Sequence, residues 1–213
     1  MTKLLKSLTV AFALGLSALT VAPAIATNPT PIALNSAQTA AMQRINTYIN
    51  SFQSLRGEFT QISPKGQTTR GILFLSKPGK IRFDYAPPNP LLIVSDGKWL
   101  TIKNRAKEKG DQVPLNSTPL RFIVAPKIDL MKEASVLSFE EADGLTTVAL
   151  ADREGKLGGY IVIVYDNVQD TLQQWVIVDG KGRRTTVQFA NLERDVQIDQ
   201  KLFRETIKRK DKN

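Results

Sequence analysis

The sequence predicts an α+β fold in which one long helix precedes an antiparallel β-sheet. Apolar residues recur every three or four positions between Ala37 and Leu55, which is typical of a helix with one buried face. From Gly57 onward they recur every second position, which is the period of a half-buried strand. Asp-Gly dipeptides, which favour tight hairpins, separate several of these runs. The natural topology for such a sheet is an antiparallel meander.

The helix is predicted to begin at a capping box. Asn35 is a good N-cap residue, and Gln38 stands three positions later, where its side chain reaches back to the backbone of the cap. The apolar pattern that follows indicates a helix of about five turns. Residues 27–31, which include two prolines, are expected to form a mobile lead-in. The expected buried face consists of Ala37, Ala41, Ile45, Tyr48, Ile49, Phe52 and Leu55.

The strands are predicted from β-rich runs that end at turn residues. Hairpin turns are expected at the dipeptides that begin with Asp96, Asp143 and Asp179. Residues 117–131 interrupt the pattern because their apolar side chains lie between prolines, and a short helix or a covering loop is expected there. The predicted strands are 57–63, 70–77, 80–86, 90–95, 98–104, 134–140, 145–151, 159–166, 171–178, 183–191 and a short last one at 196–199.

A sheet of this length is expected to curl. One helix and a short segment supply limited material to fill its concave face, so the sheet either closes on its own side chains or retains a cavity. Ile81, Phe83 and Tyr85 alternate with Arg82 and Asp84 and therefore line one face of their strand. The pattern leaves two interpretations open, because these three side chains suit an ordinary core and also a surface for an apolar ligand.

The N-terminus has the pattern of a secretory signal peptide. Lys3 and Lys6 precede an apolar run, and Ala24-Ile25-Ala26 supplies the small residues that a signal peptidase accepts, so cleavage is expected after Ala26. Residues 1–26 are therefore predicted to be the signal peptide and 27–213 a single domain. The sequence has no cysteine, so neither a lipid anchor at the cleavage site nor disulfides are expected. A bacterial periplasm fits this pattern.

Composition excludes several kinds of catalytic chemistry. The sequence has neither histidine nor cysteine, which removes the usual zinc ligand sets and the imidazole-assisted nucleophiles. It has no G-x-S-x-G, P-loop or G-x-G-x-x-G motif. We therefore expect no enzyme activity and no cofactor or metal. The formal charge of +9, which falls to +7 without Lys3 and Lys6, indicates a moderately basic surface.

Motifs spread over nearly all of residues 27–213 resemble one known family. They are Phe59-Thr60-Gln61, Gly71, Lys77-Pro78 followed by Ile81-Arg82-Phe83, Ile93-Val94-Ser95-Asp96-Gly97-Lys98, Thr118-Pro119-Leu120, Leu172-Gln173-Gln174-Trp175, Asp179-Gly180-Lys181-Gly182 and Leu202-Phe203. In this order and at these separations they resemble the periplasmic outer-membrane lipoprotein carrier proteins, the LolA family. No single motif is diagnostic, whereas the ordered set is fairly specific.

The resemblance implies a fold and a function. The fold is a curved antiparallel sheet, an incomplete barrel, covered by lid helices around an apolar cavity. The function is that of a soluble, monomeric periplasmic carrier, which takes triacylated lipoproteins from an inner-membrane lipoprotein-releasing ABC transporter to an outer-membrane lipoprotein receptor. Nucleic-acid binding is not expected, because the basic residues do not lie among stacking aromatic residues.

The resemblance also implies site residues. Ile81, Phe83, Ile123 and Trp175 match cavity positions of the family, and Tyr85, Leu120 and Phe122 are their expected neighbours. Lys77 stands where family members commonly have an arginine that holds the lid closed. Because an ammonium lacks the planar fork of a guanidinium, the latch is expected to be looser or to be formed by Arg82 or Arg70. The alternative for Lys77 is a solvated charge at the end of a strand. If residues 76–86 form one continuous strand, Lys77 lies on the same face as Ile81, although Pro78 could break that register.

Two other functions remain open on the sequence. One is a regulatory module that senses a lipid or a mislocalised lipoprotein with the same fold, and the other is a carrier of free lipid. The sequence also departs from the family after Gly97, where Leu100-Thr101-Ile102 replaces an aromatic pair and Trp99 stands earlier. The basic C-terminus, "FRETIKRKDKN", is expected to be solvated, with attraction to anionic lipid or to an acidic partner as the alternative.

Overall fold

An eleven-stranded antiparallel sheet forms most of the molecule. The structure is a computed structural model that describes residues 30–107 and 109–204. The strands are β1 (Ser54–Ile62), β2 (Thr68–Ser76), β3 (Lys80–Tyr85), β4 (Leu91–Asp96), β5 (Trp99–Asn104), β6 (Gly110–Pro114), β7 (Ala134–Ala142), β8 (Leu145–Asp152), β9 (Gly159–Asp166), β10 (Thr171–Asp179) and β11 (Arg184–Arg194).

The sheet is an incomplete barrel, as predicted. The strand order is β6-β5-β4-β3-β2-β1-β11-β10-β9-β8-β7, so β1 and β11 pair in the middle while β6 and β7 are the two free edges. Within each half the strands follow a meander. Residues 115–133 connect the two edges and contain a 3₁₀ turn (Leu115–Ser117), α2 (Arg121–Val124) and α3 (Leu130–Glu133). The short helical segment expected within 117–131 is therefore confirmed.

Helix α1 (Ser36–Asn50) starts where the capping box predicts. The Asn35 side chain accepts a hydrogen bond from the Gln38 backbone N–H at 2.9 Å, and the Gln38 side chain accepts one from the Asn35 backbone N–H at 3.0 Å. The helix buries Ile45, Tyr48 and Ile49 against the concave face of the sheet. We call α1 together with residues 115–133 the cover.

Three predicted hairpin turns are confirmed. Asp96, Asp143 and Asp179 each lie at the junction of consecutive strands. In the β7–β8 turn Asp143 has a φ of 52° and Gly144 a φ of 76°, the two left-handed conformations that a type I′ turn requires. Asp and Gly are the residues that adopt these conformations at least cost, which explains why the dipeptide marks the turn.

Three details of the sequence prediction are wrong. Strand β6 was not predicted, because its five residues lack an apolar alternation and form a strand by pairing with β5. Residues 196–199 alternate like a strand but pair with none, and they lead into a 3₁₀ helix (Gln200–Phe203). The buried part of the helix is shorter than expected at both ends, since Ala37 is exposed and the helix ends at Asn50. Phe52 and Leu55 reach the same core from a turn and from β1.

One apolar cluster fills the space between the sheet and the cover. It contains side chains from α1, from the 115–133 segment and from the inner faces of strands in both halves of the sheet. Among the described residues, no helix combines the length and the apolar character needed to cross a bilayer. The predicted signal peptide (1–26) and nearly all of the basic C-terminus (205–213) lie outside the described residues.

Candidate functional site: the covered apolar interior

Strand β3 presents its apolar side to the interior, as its alternation predicts. Ile81, Phe83 and Tyr85 are 0%, 4% and 2% exposed. They stand opposite Leu75, Leu73 and Gly71 of β2, while Arg82 and Asp84 occupy the outer face. Because directly paired residues share a face of the sheet, the apolar surface of β3 continues onto β2.

Aromatic rings connect the two halves of the interior. The Phe59 ring lies 5.3 Å from the ring of Phe83 and 5.1 Å from that of Tyr85, both edge to face. Phe83 in turn lies 6.1 Å from Trp175 of β10. Gly71 makes the Phe59–Tyr85 contact possible, because a Cβ at this position would lie 2.8 Å from the Phe59 ring and 2.2 Å from the Asp84 carbonyl oxygen.

The interior contains one buried phenol with a defined partner. The Tyr85 hydroxyl donates a hydrogen bond to the Gln61 side-chain oxygen at 2.7 Å. Burial raises the pKa of Tyr85 above its ordinary value. The phenol therefore stays neutral, and the interior carries no charge at this point.

The structure brings the seven predicted cavity residues into one cluster. Leu120, Phe122 and Ile123 approach from the cover and are 8%, 0% and 0% exposed, and Trp175 is 1% exposed. In this structure the cover closes the interior, and side chains from the sheet and the cover pack together inside it. A ligand of any size would have to displace the cover.

Sequence reasoning missed part of this interior. Val148, Leu150, Ile161 and Ile163 are each fully buried and extend the same cluster onto β8 and β9. Strand β9 is apolar at nearly every position from Tyr160 onward, so periodicity could not show which of its side chains face inward. The register with Trp175, which pairs with Ile163, supplies that information.

Lys77 is a buried contact to the cover. Strand β2 ends at Ser76 and β3 begins at Lys80, so Lys77 lies in the turn and not on a continuous strand with Ile81. It is 8% exposed, its ammonium donates to the Ile49 carbonyl oxygen at the end of α1, and the ammonium lies 4.3 Å from the centre of the Phe52 ring. Burial lowers the pKa of Lys77 to about 8. The alternative of a solvated charge is therefore wrong.

The same turn also contacts the second part of the cover. The Gly79 backbone N–H donates to the Val124 carbonyl oxygen at 2.7 Å. The turn between β2 and β3 thus binds the ends of both α1 and α2 through two donors. Gly79 has a φ of 74°, and a Cβ there would lie 2.7 Å from Gly97 in the neighbouring turn, so only glycine fits this arrangement.

The structure does not bring the two other latch candidates to the cover. Arg82 lies on the outer face, where its guanidinium donates to the Leu202 carbonyl oxygen at 2.9 Å and to Asp84 at 3.3 Å. Arg70 is exposed, and its neighbours along β2 show that it shares that outer face. Arg82 therefore holds the C-terminal 3₁₀ helix against the sheet.

Two asparagine side chains join α1 to the 115–133 segment. Asn50 donates to the Ile128 carbonyl oxygen at 2.8 Å and accepts from the Ile128 backbone N–H at 2.9 Å. Asn46 accepts from the Leu130 backbone N–H at 3.0 Å. These amides satisfy backbone groups that would otherwise be buried without partners. The two parts of the cover are consequently one hydrogen-bonded unit.

The end of β8 holds the cover from the opposite side. The Arg121 guanidinium of α2 forms ion pairs with Glu133, at 3.1 Å, and with the nearly buried Asp152. Arg153 donates to the Met131 and Ala134 carbonyl oxygens, each at 2.9 Å. Opening the cover therefore requires the loss of polar contacts at the β2–β3 turn and at the end of β8, among others.

A groove of about 500 Å³ lies along the seam between the cover and the sheet. Its walls are the β2–β3 and β4–β5 turns on one side and α2 with the residues after it on the other. Most of its lining is apolar, including Pro78, Trp99, Leu115 and Val124. Trp99, where the sequence departs from the family pattern, lines this groove and is 38% exposed.

Fold and site together define a class of protein, an incomplete antiparallel barrel whose apolar interior is closed by a helical cover. A family model described as outer membrane lipoprotein carrier protein LolA matches residues 50–206 of this chain. The chain therefore belongs to the LolA family.

Curated relatives carry the corresponding name. An outer-membrane lipoprotein carrier protein from Methylococcus capsulatus is 26% identical over 181 residues, covering 79% of this chain and 85% of the relative. One from Cupriavidus pinatubonensis is 27% identical over 184 residues, covering 81% and 86%. Among solved structures, a LolA superfamily protein from Nitrosomonas europaea is similar with a TM-score of 0.45 and 8% identity, covering 79% of this chain and 97% of its own.

Proposed function

We propose that this protein carries lipoproteins by enclosing their acyl chains in the covered interior. The observation that supports this most directly is the single apolar cluster formed by both halves of the sheet and the cover, in a chain that belongs to the LolA family. The proposed ligand-binding residues are Ile81, Phe83, Tyr85, Leu120, Phe122, Ile123 and Trp175.

The need for such an enclosure follows from the hydrophobic effect. Each methylene exposed to water costs about 0.8 kcal/mol, so three acyl chains cost tens of kcal/mol outside a membrane. The interior residues that contact the cover in the closed state would contact acyl chains in the loaded state. Because the cover competes with the ligand for the same apolar surface, its closure favours release, and binding is moderate rather than irreversible.

Lys77 is the proposed latch of the cover. Its hydrogen bond to Ile49 and the neighbouring bond from Gly79 to Val124 join the sheet to the ends of both helices. An ammonium is a flexible point donor and cannot hold several carbonyl oxygens as a guanidinium does. The side-chain part of the proposed latch is therefore a single contact from Lys77, beside the backbone bond from Gly79 and the Asn46 and Asn50 bonds within the cover.

The proposed site of action is the bacterial periplasm. The signal-peptide pattern of residues 1–26 supports secretion, which leaves 27–213 as the carrier domain. The proposed partners are an inner-membrane ABC transporter that releases triacylated lipoproteins and an outer-membrane receptor that accepts them. The interior offers acyl-chain contacts, so the proposed function is binding and transfer of the lipoprotein.

A release assay tests the proposed function. Spheroplasts that carry a labelled triacylated lipoprotein are incubated with the purified protein and ATP, and the supernatant is analysed for a soluble complex. We expect a one-to-one complex that requires ATP. A folded protein that releases no lipoprotein from membranes competent with another carrier would contradict the proposal.

A further inference from the structure

The half of the sheet formed by β7–β11 carries opposite charges at its two ends. In the other half, the β2–β3 and β4–β5 turns, with Lys77 and Lys98, lie at the same end as the acidic β7–β8 and β9–β10 turns. Successive turns of an antiparallel meander lie at alternating ends of the strands. The β7–β8 turn, the β9–β10 turn and the chain after β11 therefore share one end, which also adjoins α1 through the contact of Tyr48 with Thr171. Residues Asp143, Asp170 and Asp195 lie in these turns, and we call this the acidic end.

The opposite end is basic. The β1–β2, β8–β9 and β10–β11 turns lie there, at residues 63–67, 153–158 and 180–183. Their cations, with the first residue of β11, are all exposed. We call this set the basic rim, and it consists of Lys65, Arg153, Lys156, Lys181, Arg183 and Arg184.

The basic rim is continuous around the middle of the sheet. Ile62, the last residue of β1, pairs with Thr68 of β2 and with Thr186 of β11, so the β1–β2 turn adjoins the β10–β11 turn. The β10–β11 turn in turn adjoins the β8–β9 turn, since a Cβ on Gly180 would lie 3.7 Å from the Cα of Gly158. The cations therefore form an arc and not a pocket.

Half of the rim lacks internal compensation. Arg183 pairs with Asp179 at 2.6 Å, Lys156 pairs with Glu154, and Arg153 binds carbonyl oxygens of the cover. In the part of the chain that the structure describes, Lys65, Lys181 and Arg184 have no carboxylate partner. Their charge faces solvent and is available to an external anion.

We propose that the basic rim rests on an anionic phospholipid surface, with the acidic end turned away from it. Lysine and arginine on protruding turns suit a plane of headgroup charges, since each cation near such a surface adds to the attraction. Protein interfaces, by contrast, centre on buried aromatic anchors and are depleted in lysine. None of the five large apolar side chains that are exposed in the described residues lies in these three turns; they are Ile32, Trp99, Ile102, Val113 and Val168.

This contact is electrostatic and reversible. Leu157, the large apolar side chain of these turns, is half-buried against the core, so adsorption depends on charge and weakens as salt screens it. A carrier that visits membranes would gain a fixed orientation on each surface without being retained there. The inference goes beyond the proposed function, because it requires neither cargo nor a transporter.

Vesicle flotation tests the docking surface. The protein is expressed from this sequence, purified from the soluble fraction, and floated with vesicles of phosphatidylethanolamine that contain the anionic lipid phosphatidylglycerol. Binding is expected in low salt and is expected to disappear at about 0.5 M salt, where the Debye length falls to a few ångströms. Vesicles of phosphatidylcholine alone should bind little, which separates rim adsorption from uptake of acyl chains.

A matched pair of triple variants locates the surface. Lys65→Gln with Lys181→Gln and Arg184→Gln removes three rim charges, and we expect at least about tenfold weaker binding. Lys98→Gln with Lys127→Gln and Lys201→Gln removes the same charge from exposed lysines elsewhere and should bind nearly as wild type. Equal weakening by both triples would overturn the assignment to the rim. Absence of wild-type binding would overturn the lipid proposal and leave an acidic protein face as the alternative.

Orientation is measured with single cysteines, which the sequence otherwise lacks. Thr68→Cys places a fluorophore beside the basic rim, and Val168→Cys places one in the β9–β10 turn at the acidic end. Lipids carrying a headgroup quencher should quench the probe at position 68 several times more strongly than the probe at 168. Equal quenching, or the reverse order, would contradict the proposed orientation.

Discussion

One buried lysine joins the sheet to the C-terminal end of α1. Lys77 is buried in a turn and bonded to a carbonyl oxygen at the end of the helix, beside the Phe52 ring. The sequence resemblance identifies this position, but no periodic pattern does. Its burial follows from the β2–β3 turn, which places the ammonium beside the end of α1.

Replacing this lysine should impair the carrier without unfolding it. We expect Lys77→Leu to reduce the soluble lipoprotein complex severalfold, because nothing then holds the Ile49 carbonyl oxygen, and Lys77→Arg to retain most of it. The measurement is the release assay with urea unfolding beside it. Lys98→Leu, an exposed lysine in the next turn at this end, is the control. Unchanged transfer by Lys77→Leu would remove the latch role.

The lowered pKa of Lys77 makes stability depend on pH. Burial lowers the pKa to about 8, whereas the unfolded chain titrates near 10.5. Between these values the folded protein binds fewer protons than the unfolded one, so the free energy of unfolding rises with pH. From pH 7.5 to 9.5 we expect wild type to gain about 1–2 kcal/mol relative to Lys77→Leu in urea unfolding. Parallel pH profiles for the two proteins would show that Lys77 titrates normally.

At the level of elements, the cover behaves as one unit because of its asparagine contacts. Asn50 satisfies both backbone groups of Ile128, and Asn46 satisfies the N–H of Leu130. The amphipathic pattern of α1 predicts the helix and its buried face but gives no partner for these polar residues. Their role depends on the path of residues 125–130, which only the folded structure defines.

Breaking this connection should loosen the cover. Asn50→Ala leaves the Ile128 N–H and C=O without partners, which we expect to cost about 1–3 kcal/mol in the free energy of unfolding. Amide hydrogen exchange at residues 128–130 should become faster than in wild type. Gln43→Ala, an exposed substitution on the same helix, is the matched control. Unchanged exchange at 128–130 would mean that the two parts of the cover are held together by packing alone.

Strand β2 depends on a glycine that the motif comparison singled out. A Cβ at Gly71 would lie 2.2 Å from the Asp84 carbonyl oxygen of β3, which is too close for any side chain. We expect Gly71→Ala to displace β3 and to separate the Phe59 and Tyr85 rings, at a cost of about 1–3 kcal/mol in urea unfolding. Gly66→Ala is the control, because no atom lies within 4 Å of the Cβ position of residue 66. Its φ of 78° should make this substitution mildly destabilising as well. A smaller loss at Gly71 than at Gly66 would contradict this reading.

For the whole molecule, features encoded by adjacent residues were predicted better than features that depend on contacts between distant strands. The capping box at Asn35 predicted where α1 begins, and the Asp-Gly dipeptides predicted three hairpin turns, because each signal depends on a few adjacent residues. Strand β6 was missed because its sequence has no strand pattern and it forms by pairing with β5. Residues 196–199 were wrongly predicted as a strand because their alternation does not show whether a partner strand is present. The closed state of the interior likewise depends on the cover and not on any one strand.

The central claim is that acyl chains occupy the interior, and photocrosslinking tests it most directly. A photoreactive phenylalanine analogue replaces Phe83, which faces the interior, or Phe74, which lies on the outer face opposite Arg82. Each protein is loaded with a lipoprotein carrying labelled acyl chains and irradiated. The account predicts strong crosslinking of the acyl label at position 83 and little at 74. Crosslinking at 74 with none at 83, in folded and loaded protein, would contradict it.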